Sequence, residues 1–341
     1  MMAGSLSETG RPEGRCSMRF THVYVEERAR EYPLTSELLG RLNGANVIDI
    51  KHYKDVFDRK RQNAVLQRDH KALIIAVRDG NRIFRGAPVC QSMGQKNFYY
   101  ASSMMNCPFD CEYCYLKGMY PSAFMVVFVN LEDYASDVEE KLKEGPMYVC
   151  ASYDTDLLAM NALTGHAGFW REMARTHEDL LVELRTKAAV DIAGDISNVI
   201  YAFTLSPEEV VSRYERFTAP VGARINAAAK AIGNGAKVRL CFDPIIKISD
   251  WKNAYKKLVD EAAGAIDFES LTDVSVGTFR ISSDYLNKMR RSYPDSEVAW
   301  YTYVIKEGVA QYDPDTDQEM QSYVLRLLEN HIGREKIFTW N

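Results

Sequence analysis

Long apolar runs are missing from this chain of 341 residues; none that is purely apolar extends beyond Ala123 to Val129. A bilayer span takes about 20 such residues, so no transmembrane helix is expected. Proline is scarce, at 11 copies, and 46% of residues are hydrophobic, which excludes wholesale disorder and collagen-like repeats. The opening stretch MMAGSLSETGRPEGR has no apolar core of a secretory signal. It reads as a flexible tail over residues 1–20, and the protein as cytoplasmic. Positive charge is not in excess either: 42 Lys and Arg face 47 Asp and Glu, for a net charge of −5. No global field advertises nucleic acid, although a local basic surface is compatible with this balance. Seven cysteines, an odd number, in a reducing compartment point to metal or catalytic thiols rather than a disulfide framework.

What is present is a chain longer than the usual domain of roughly 100–200 residues. HVYVEE (22–27), NVIDI (46–50) and ALIIAV (72–77) read as strands, and SELLGRLNG (36–44) as a helix, giving a small α/β region over 21–95. DVFDRKRQNAVLQRDHK (55–71) is charged and partly irregular. Six strand candidates follow: NFYYASS (97–103), AFMVVFV (123–129), MYVCASY (147–153), LLVELRT (180–186), NVIYAFTL (198–205) and KVRLCFDPII (237–246). Amphipathic stretches at 131–145, 169–179 and 220–235 separate several of them, the last ending in a capping glycine. This β/α series predicts a partial (β/α)6 barrel over 96–295. Residues 296–341 close the chain with a hairpin at 300–312 and a helix near 317–332.

The sharpest motif is MMNCPFDCEYCYLKG, with Cys107, Cys111 and Cys114 spaced C-x3-C-x2-C just after the first strand of the series. Three thiolates on one loop suit three irons of a [4Fe–4S] cluster and leave the fourth iron open. In radical enzymes that use S-adenosylmethionine (SAM), that iron chelates the methionine part of the cofactor. A structural zinc site would need a fourth ligand, usually from a second pair, and no histidine lies between His70 and His166. The position after a β-strand of such a series is also where these folds place their chemistry.

Within that superfamily the sequence resembles spore photoproduct lyase over nearly its whole length beyond the tail. The resemblance rests on VYVEERAREYPLTSEL (23–38), CEYCYLKG (111–118), ASYDTDLLAMNALT (151–164), RTK (185–187) and DPII (243–246). It implies a radical-SAM carbon–carbon lyase that splits a methylene-bridged thymine dimer in DNA, with the lesion flipped into the barrel mouth. It also implies a small electron-donor protein, such as a flavodoxin or ferredoxin, as partner. Tyr113 and Tyr115 match family tyrosines implicated in binding and radical relay, Tyr113 lying near the adenine. Asp156, Lys187 and Thr204 fall at strand-end positions that in the family line the SAM pocket. A carboxylate there suits ribose hydroxyls and a lysine suits the carboxylate of SAM. Trp300, Tyr301 and Tyr303 are a candidate wedge beside the lesion.

One departure stands out. The family carries a cysteine that donates a hydrogen atom to the product thymyl radical, and Tyr153 stands at that position here. Cys150, three residues earlier, should face opposite to Tyr153 by strand alternation and reads as a core thiol packed on helices. Cys241 shares parity with Asp243 and points into the lumen, below the site; Cys16 and Cys90 are isolated. Hydrogen donation then falls to Tyr153, to Cys241 or to SAM regeneration, or differs from the family's. A same-family enzyme with another substrate, or a non-catalytic iron–sulfur protein that binds nucleic acid, are the alternatives.

Overall fold

The computed structural model describes residues 19–86, 91–194 and 198–339. Most of the expected tail, together with Cys16 and Cys90, lies outside the described residues. Two sheets organise the rest. A five-stranded sheet runs in the order Asn46–Ile50, His22–Glu26, Leu73–Ala76, Met125–Phe128, Met104–Met105. An eight-stranded half-barrel runs Ile337–Thr339, Asp273–Thr278, Lys237–Ile245, Val199–Thr204, Leu180–Thr186, Met147–Cys150, Phe98–Ala101, Ile83–Arg85. Its strands are parallel except the last, which pairs antiparallel at the edge.

The run AFMVVFV departs from expectation. It joins Leu73–Ala76 in the five-stranded sheet, and Asp273–Thr278 takes the vacant place in the parallel series. The reason is physical: all of Met125–Phe128 is buried, and a strand buried on both faces has no alternation to say which sheet it serves. The loop before it is also pinned to it, because the Asn106 amide donates to the carbonyls of Ser122 and Phe124, 2.7 Å each.

Alternation does operate along the half-barrel. Val149, Val182, Leu184, Phe203, Leu240 and Val276 are fully buried on the outer face, where helices Leu157–Thr164, His166–Thr176, Val221–Gly233 and Pro314–Leu328 pack. Each such side chain contributes roughly 1.5–3 kcal/mol. Helix Val221–Gly233 ends as its sequence dictates, Gly235 supplying a φ of +84° and donating to Ile232. Cross-strand register collects the polar residues on the inner face: Cys150 lies beside Glu183, Arg185 beside Ala202, and Cys241 between Thr204 and Ser275. Cys241 is therefore inward and fully buried, as expected.

Cys150 is not the outward core thiol that parity suggested. Its Sγ lies 3.5 Å from Glu183 Oε1, to which it donates, on the inner face. The strand stops at Cys150 and residues 151–155 turn, so the two-residue period does not carry through to Tyr153.

Below the site the inner face is closed by ion pairs. Arg239 grips both oxygens of Asp273 and also donates to Glu183 and the Tyr148 hydroxyl. Arg185 links Glu183, at 3.1 Å, to Asp243, at 2.9 Å. At the C-terminal end the hairpin expected at 300–312 is confined to Val304–Lys306 and Val309–Gln311, Trp300 ending a short helix, Glu297–Trp300, and Arg280–Ser282 adds a third strand. Its turn residues Glu307 and Gly308 both have positive φ, 51° and 80°, which matches the twist of a tight two-residue hairpin. Helix Pro314–Leu328 begins earlier than the sequence reading placed it. Proline sits in its first turn, and the Asp313 carboxylate accepts from Thr316 N at 3.0 Å.

Candidate active site

The cysteine loop leaves strand Phe98–Ala101 and returns at helix Leu116–Met119. Asn106, at φ 64°, starts its turn. The buried Lys71 ammonium holds the next three carbonyls, those of Cys107, Pro108 and Phe109, at 3.0, 2.8 and 3.3 Å. Asp110 accepts from Lys117 at 2.6 Å and from the Tyr293 hydroxyl at 2.9 Å, with Arg68 and Arg216 within 4 Å. Burial works to raise its pKa, yet Lys117 and Arg68 hold it at about 2. A two-residue ladder sets Cys111 against Glu215 and Asp110 against Arg216.

The three thiols lie close enough to influence one another's ionisation. Burial pushes all three up, Cys111 to about 12, so protons leave only when a metal takes their place. Among the described residues no three His, Cys, Asp or Glu side chains converge tightly enough to hold a single metal ion.

Facing this loop are the ends of the inner strands. Cys107 senses the charge of Asp156, just beyond strand Met147–Cys150. The turn between them holds three buried polar atoms with no hydrogen-bond partner: Ser152 Oγ, Asp154 Oδ1 and Thr155 Oγ1. Burial raises the pKa of Asp154, opposed by hydrogen bonds from Ser102 and Tyr120. Three orphaned groups on one turn beside the thiols fit a polar ligand seated there, such as the amino acid and ribose parts of SAM.

Asp156 itself is fully engaged. Its oxygens accept from Ala159 N at 2.9 Å, from Lys187 N at 2.8 Å and from the Thr186 hydroxyl at 2.8 and 2.9 Å. It caps helix Leu157–Thr164 and clasps strand Leu180–Thr186 in one move. The Lys187 ammonium lies over the Tyr113 ring, 4.6 Å from its centroid, and donates to the Tyr113 hydroxyl and, at 2.7 Å, to Glu215. Tyr113 also donates to Glu215. Burial opposes ionisation of Glu215, but Lys187 and Arg224 hold its pKa well below the usual carboxylate range. Arg224 reaches Glu215 at 2.6 Å and the Thr204 carbonyl at 3.1 Å.

The structure thus gathers Cys107, Cys111, Cys114, Tyr113, Lys187, Asp156 and, through Arg224, Thr204 around one centre. Tyr115 and Tyr153 meet beside it: the Tyr115 hydroxyl donates to the Tyr153 carbonyl, and the rings are 5.6 Å apart. Tyr100 stacks on Tyr153 at 4.3 Å. Sequence reasoning missed Glu215, Arg224, Asp154 and Tyr100. Asp154 lay inside the quoted stretch ASYDTDLLAMNALT, whose acidic residues were the available signal, while Tyr100, Glu215 and Arg224 join the centre only through the fold.

Two curated relatives bear the name spore photoproduct lyase. That of Bacillus subtilis (strain 168) is 24% identical over 332 residues, 89% of this chain and 94% of the relative. That of a Geobacillus species is 21% identical, with the same coverage. Among solved structures, a mutant spore photoproduct lyase with bound AdoMet and dinucleoside spore photoproduct superposes with a TM-score of 0.80 at 19% identity, covering 95% of this chain and 99% of that one. Spore photoproduct lyase complexed with dinucleoside spore photoproduct does so with a TM-score of 0.80 at 18% identity, covering 94% and 98%. These likenesses share the fold described above. A family model described as spore photoproduct lyase matches residues 19–312, a span that contains every residue of the centre just built, and the chain belongs to the spore photoproduct lyase family.

Proposed function

We propose that this chain is a radical-SAM lyase that reverses the methylene-bridged thymine dimer of DNA. The observation that carries the reading is the cysteine loop set against the turn 152–155 with its three unpartnered polar atoms. Cys107, Cys111 and Cys114 would hold a [4Fe–4S] cluster, which when bound and reduced by one electron would supply the chemistry of cleaving SAM to methionine and a hydrogen-abstracting 5′-deoxyadenosyl radical. The parallel strands from Phe98–Ala101 to Asp273–Thr278 form the (β/α)6 part-barrel around it, within the barrel region 96–295 flanked by the smaller regions 21–95 and 296–341.

Lys187 has three donors, two of them spent on Tyr113 and Glu215; the third meets the carboxylate of SAM. Asp156, its oxygens already saturated, acts by fixing Thr186 and the Lys187 backbone rather than by touching the ribose. Thr204, its carbonyl held by Arg224, lines the same pocket. Tyr113 steadies the adenine side, while Tyr115, Tyr153 and Tyr100 offer phenolic hydrogens beside the reacting centre. The lesion enters flipped, and a small flavodoxin- or ferredoxin-like protein supplies the electron. Reduced thiols and low-potential chemistry belong to a reducing compartment, here the cytoplasm.

The test is anaerobic incubation of the reconstituted, reduced protein with SAM and a dinucleoside photoproduct. Thymine and 5′-deoxyadenosine are both expected. SAM cleavage without thymine would assign the chain another substrate, and absence of iron would leave a protein without this chemistry.

A further inference from the structure

The structure assigns a docking face for an acidic one-electron carrier protein to the segment 58–71 together with Arg216 and Phe217. The inference rests on reading the three cysteines as a cluster site, and it names where that site is reached from outside. Residues 64–71 form the layer directly over the cysteine loop. Lys71 holds the carbonyl of Cys107 at 3.0 Å, and a small cleft is shared by Ala64, Arg68, Lys71, Cys107, Leu116 and Lys117. Arg216 is register partner to Asp110 and reaches across to Asp69 at 3.1 Å, joining the two parts of the face.

Three features of this face are unexplained by folding. Leu66 is 71% exposed, Phe217 51% and Val65 42%, Phe217 lying under the exposed Arg216 guanidinium, 5.0 Å from its ring centroid. Phe217, at φ 70°, and Arg61, at φ 60°, are non-glycine residues in left-handed backbone, a conformation that costs energy and clusters at functional positions. The charge is opposite in sign to the whole molecule. Exposed Arg59, Lys60, Arg61 and Arg216 are offset by Asp58 and Asp69, on a chain of net charge −5. Exposed apolar side chains set among cations are the anatomy of a protein interface, and their place directly over the cysteine loop suits an acidic carrier protein that must bring its electron close to the thiols. In the step served, one electron passes from the reduced carrier to the iron–sulfur group. The carrier is oxidised by one electron, and no bond forms or breaks.

The test compares reconstituted wild type with the charge reversal Arg59→Glu/Lys60→Glu/Arg61→Glu and with Leu66→Asp. Bleaching of the iron–sulfur absorption is followed in stopped flow with reduced flavodoxin and, separately, with dithionite. For the charge reversal the flavodoxin rate should fall at least tenfold at low salt, with a flattened salt dependence. Dithionite rates and iron content should match wild type. Leu66→Asp should slow flavodoxin alone, and gives the answer by itself should the triple variant fail to take up iron. Equal flavodoxin rates in all three proteins, or a wild-type rate indifferent to salt, overturn the proposal. Weakened DNA binding with unchanged flavodoxin rates gives the face to nucleic acid and overturns it too. A wild type that binds no iron refutes the cluster reading instead, and the docking face falls with it.

Discussion

At the scale of single residues, Asp156 and Lys187 are a neighbouring pair with different duties. Asp156 satisfies the amides of Ala159 and Lys187 and the hydroxyl of Thr186. In Asp156→Ala those buried donors lose their acceptor, at a cost of about 1–3 kcal/mol each where water cannot replace it. We expect a clear fall in melting temperature that Asp156→Asn only partly restores. Lys187→Gln leaves Glu215 with Arg224, Ser206 and Tyr113 as partners. It should melt close to wild type while weakening SAM binding about tenfold or more, through a lost charge-assisted hydrogen bond. Calorimetric binding and thermal melts on the same two proteins separate these duties; normal SAM binding by Lys187→Gln would remove it from the cofactor site. Tyr153 decides the fate of a substrate radical under the proposed activity. Its ring is held between Tyr100 and Tyr115, and a phenol gives up hydrogen through a narrower range of geometries than a thiol. Tyr153→Cys should raise the yield of intact thymine per 5′-deoxyadenosine. Identical product ratios for wild type, Tyr153→Phe and Tyr153→Cys would make position 153 a bystander and move attention to the inward thiols, Cys150 and Cys241.

At the scale of elements, the inner strands depend on charges that only make sense together. Glu183 sits between Arg185 and Arg239, with the Tyr148 hydroxyl donating to it. Burial disfavours its charge, but the two guanidinium groups hold its pKa at about 2. The folded value lies below the unfolded value of about 4.3. Its contribution is therefore complete above that value and fades as pH falls through 4 towards 2. Glu183→Gln removes the carboxylate shared by Arg185 and Arg239, each of which keeps one other partner, Asp243 and Asp273 respectively, and should cost about 1–3 kcal/mol at neutral pH. Denaturant titrations of both proteins should show the gap narrowing below about pH 4, and a gap that stays constant down to pH 2.5 would contradict the pairing. This network also marks the limit of what the sequence disclosed. Cys107, Cys111, Cys114, Tyr113 and Tyr115 were legible because their chemistry is packed into one short stretch. Glu215 and Arg224 were not, because Glu215 reaches Tyr113 and Lys187 only through the crossing of segments far apart in the chain, and Arg224 joins them only through Glu215. The reading of Cys150 failed where alternation stopped with the strand, and Met125–Phe128 was assigned to the wrong sheet because a fully apolar strand has no face to read.

At the scale of the whole molecule, the proposed activity requires a lesion in a duplex to reach a centre enclosed by strand ends and a cysteine loop. The chain carries no general positive charge to hold DNA, so a specific surface has to do that work. The C-terminal hairpin and the short helix Glu297–Trp300 before it are the best placed of its exposed apolar elements. Ile305 is 66% exposed and Trp300 56%, whereas Tyr301, Tyr303 and Tyr312 pack on one another, with ring centroids 4.9 to 5.3 Å apart. Tyr301 and Tyr303 lie in the chain between Trp300, which ends the short helix Glu297–Trp300, and the hairpin strand that carries Ile305, and those two flanking side chains are exposed. The expected wedge is thus narrowed to one of its three aromatics plus a residue the motif did not include. Side chains of this kind hold a duplex open by inserting at a base step, where unstacking costs a few kcal/mol. Trp300→Ala/Ile305→Ser should therefore lower kcat/KM on a duplex carrying the photoproduct by roughly 10- to 100-fold, equivalent to about 1.4–2.7 kcal/mol of transition-state stabilisation. Turnover of the free dinucleoside, already unstacked, should stay within about twofold of wild type. A double variant that loses both activities equally would place the hairpin in the fold rather than on the DNA. One that loses neither would mean that the duplex is opened elsewhere on the surface.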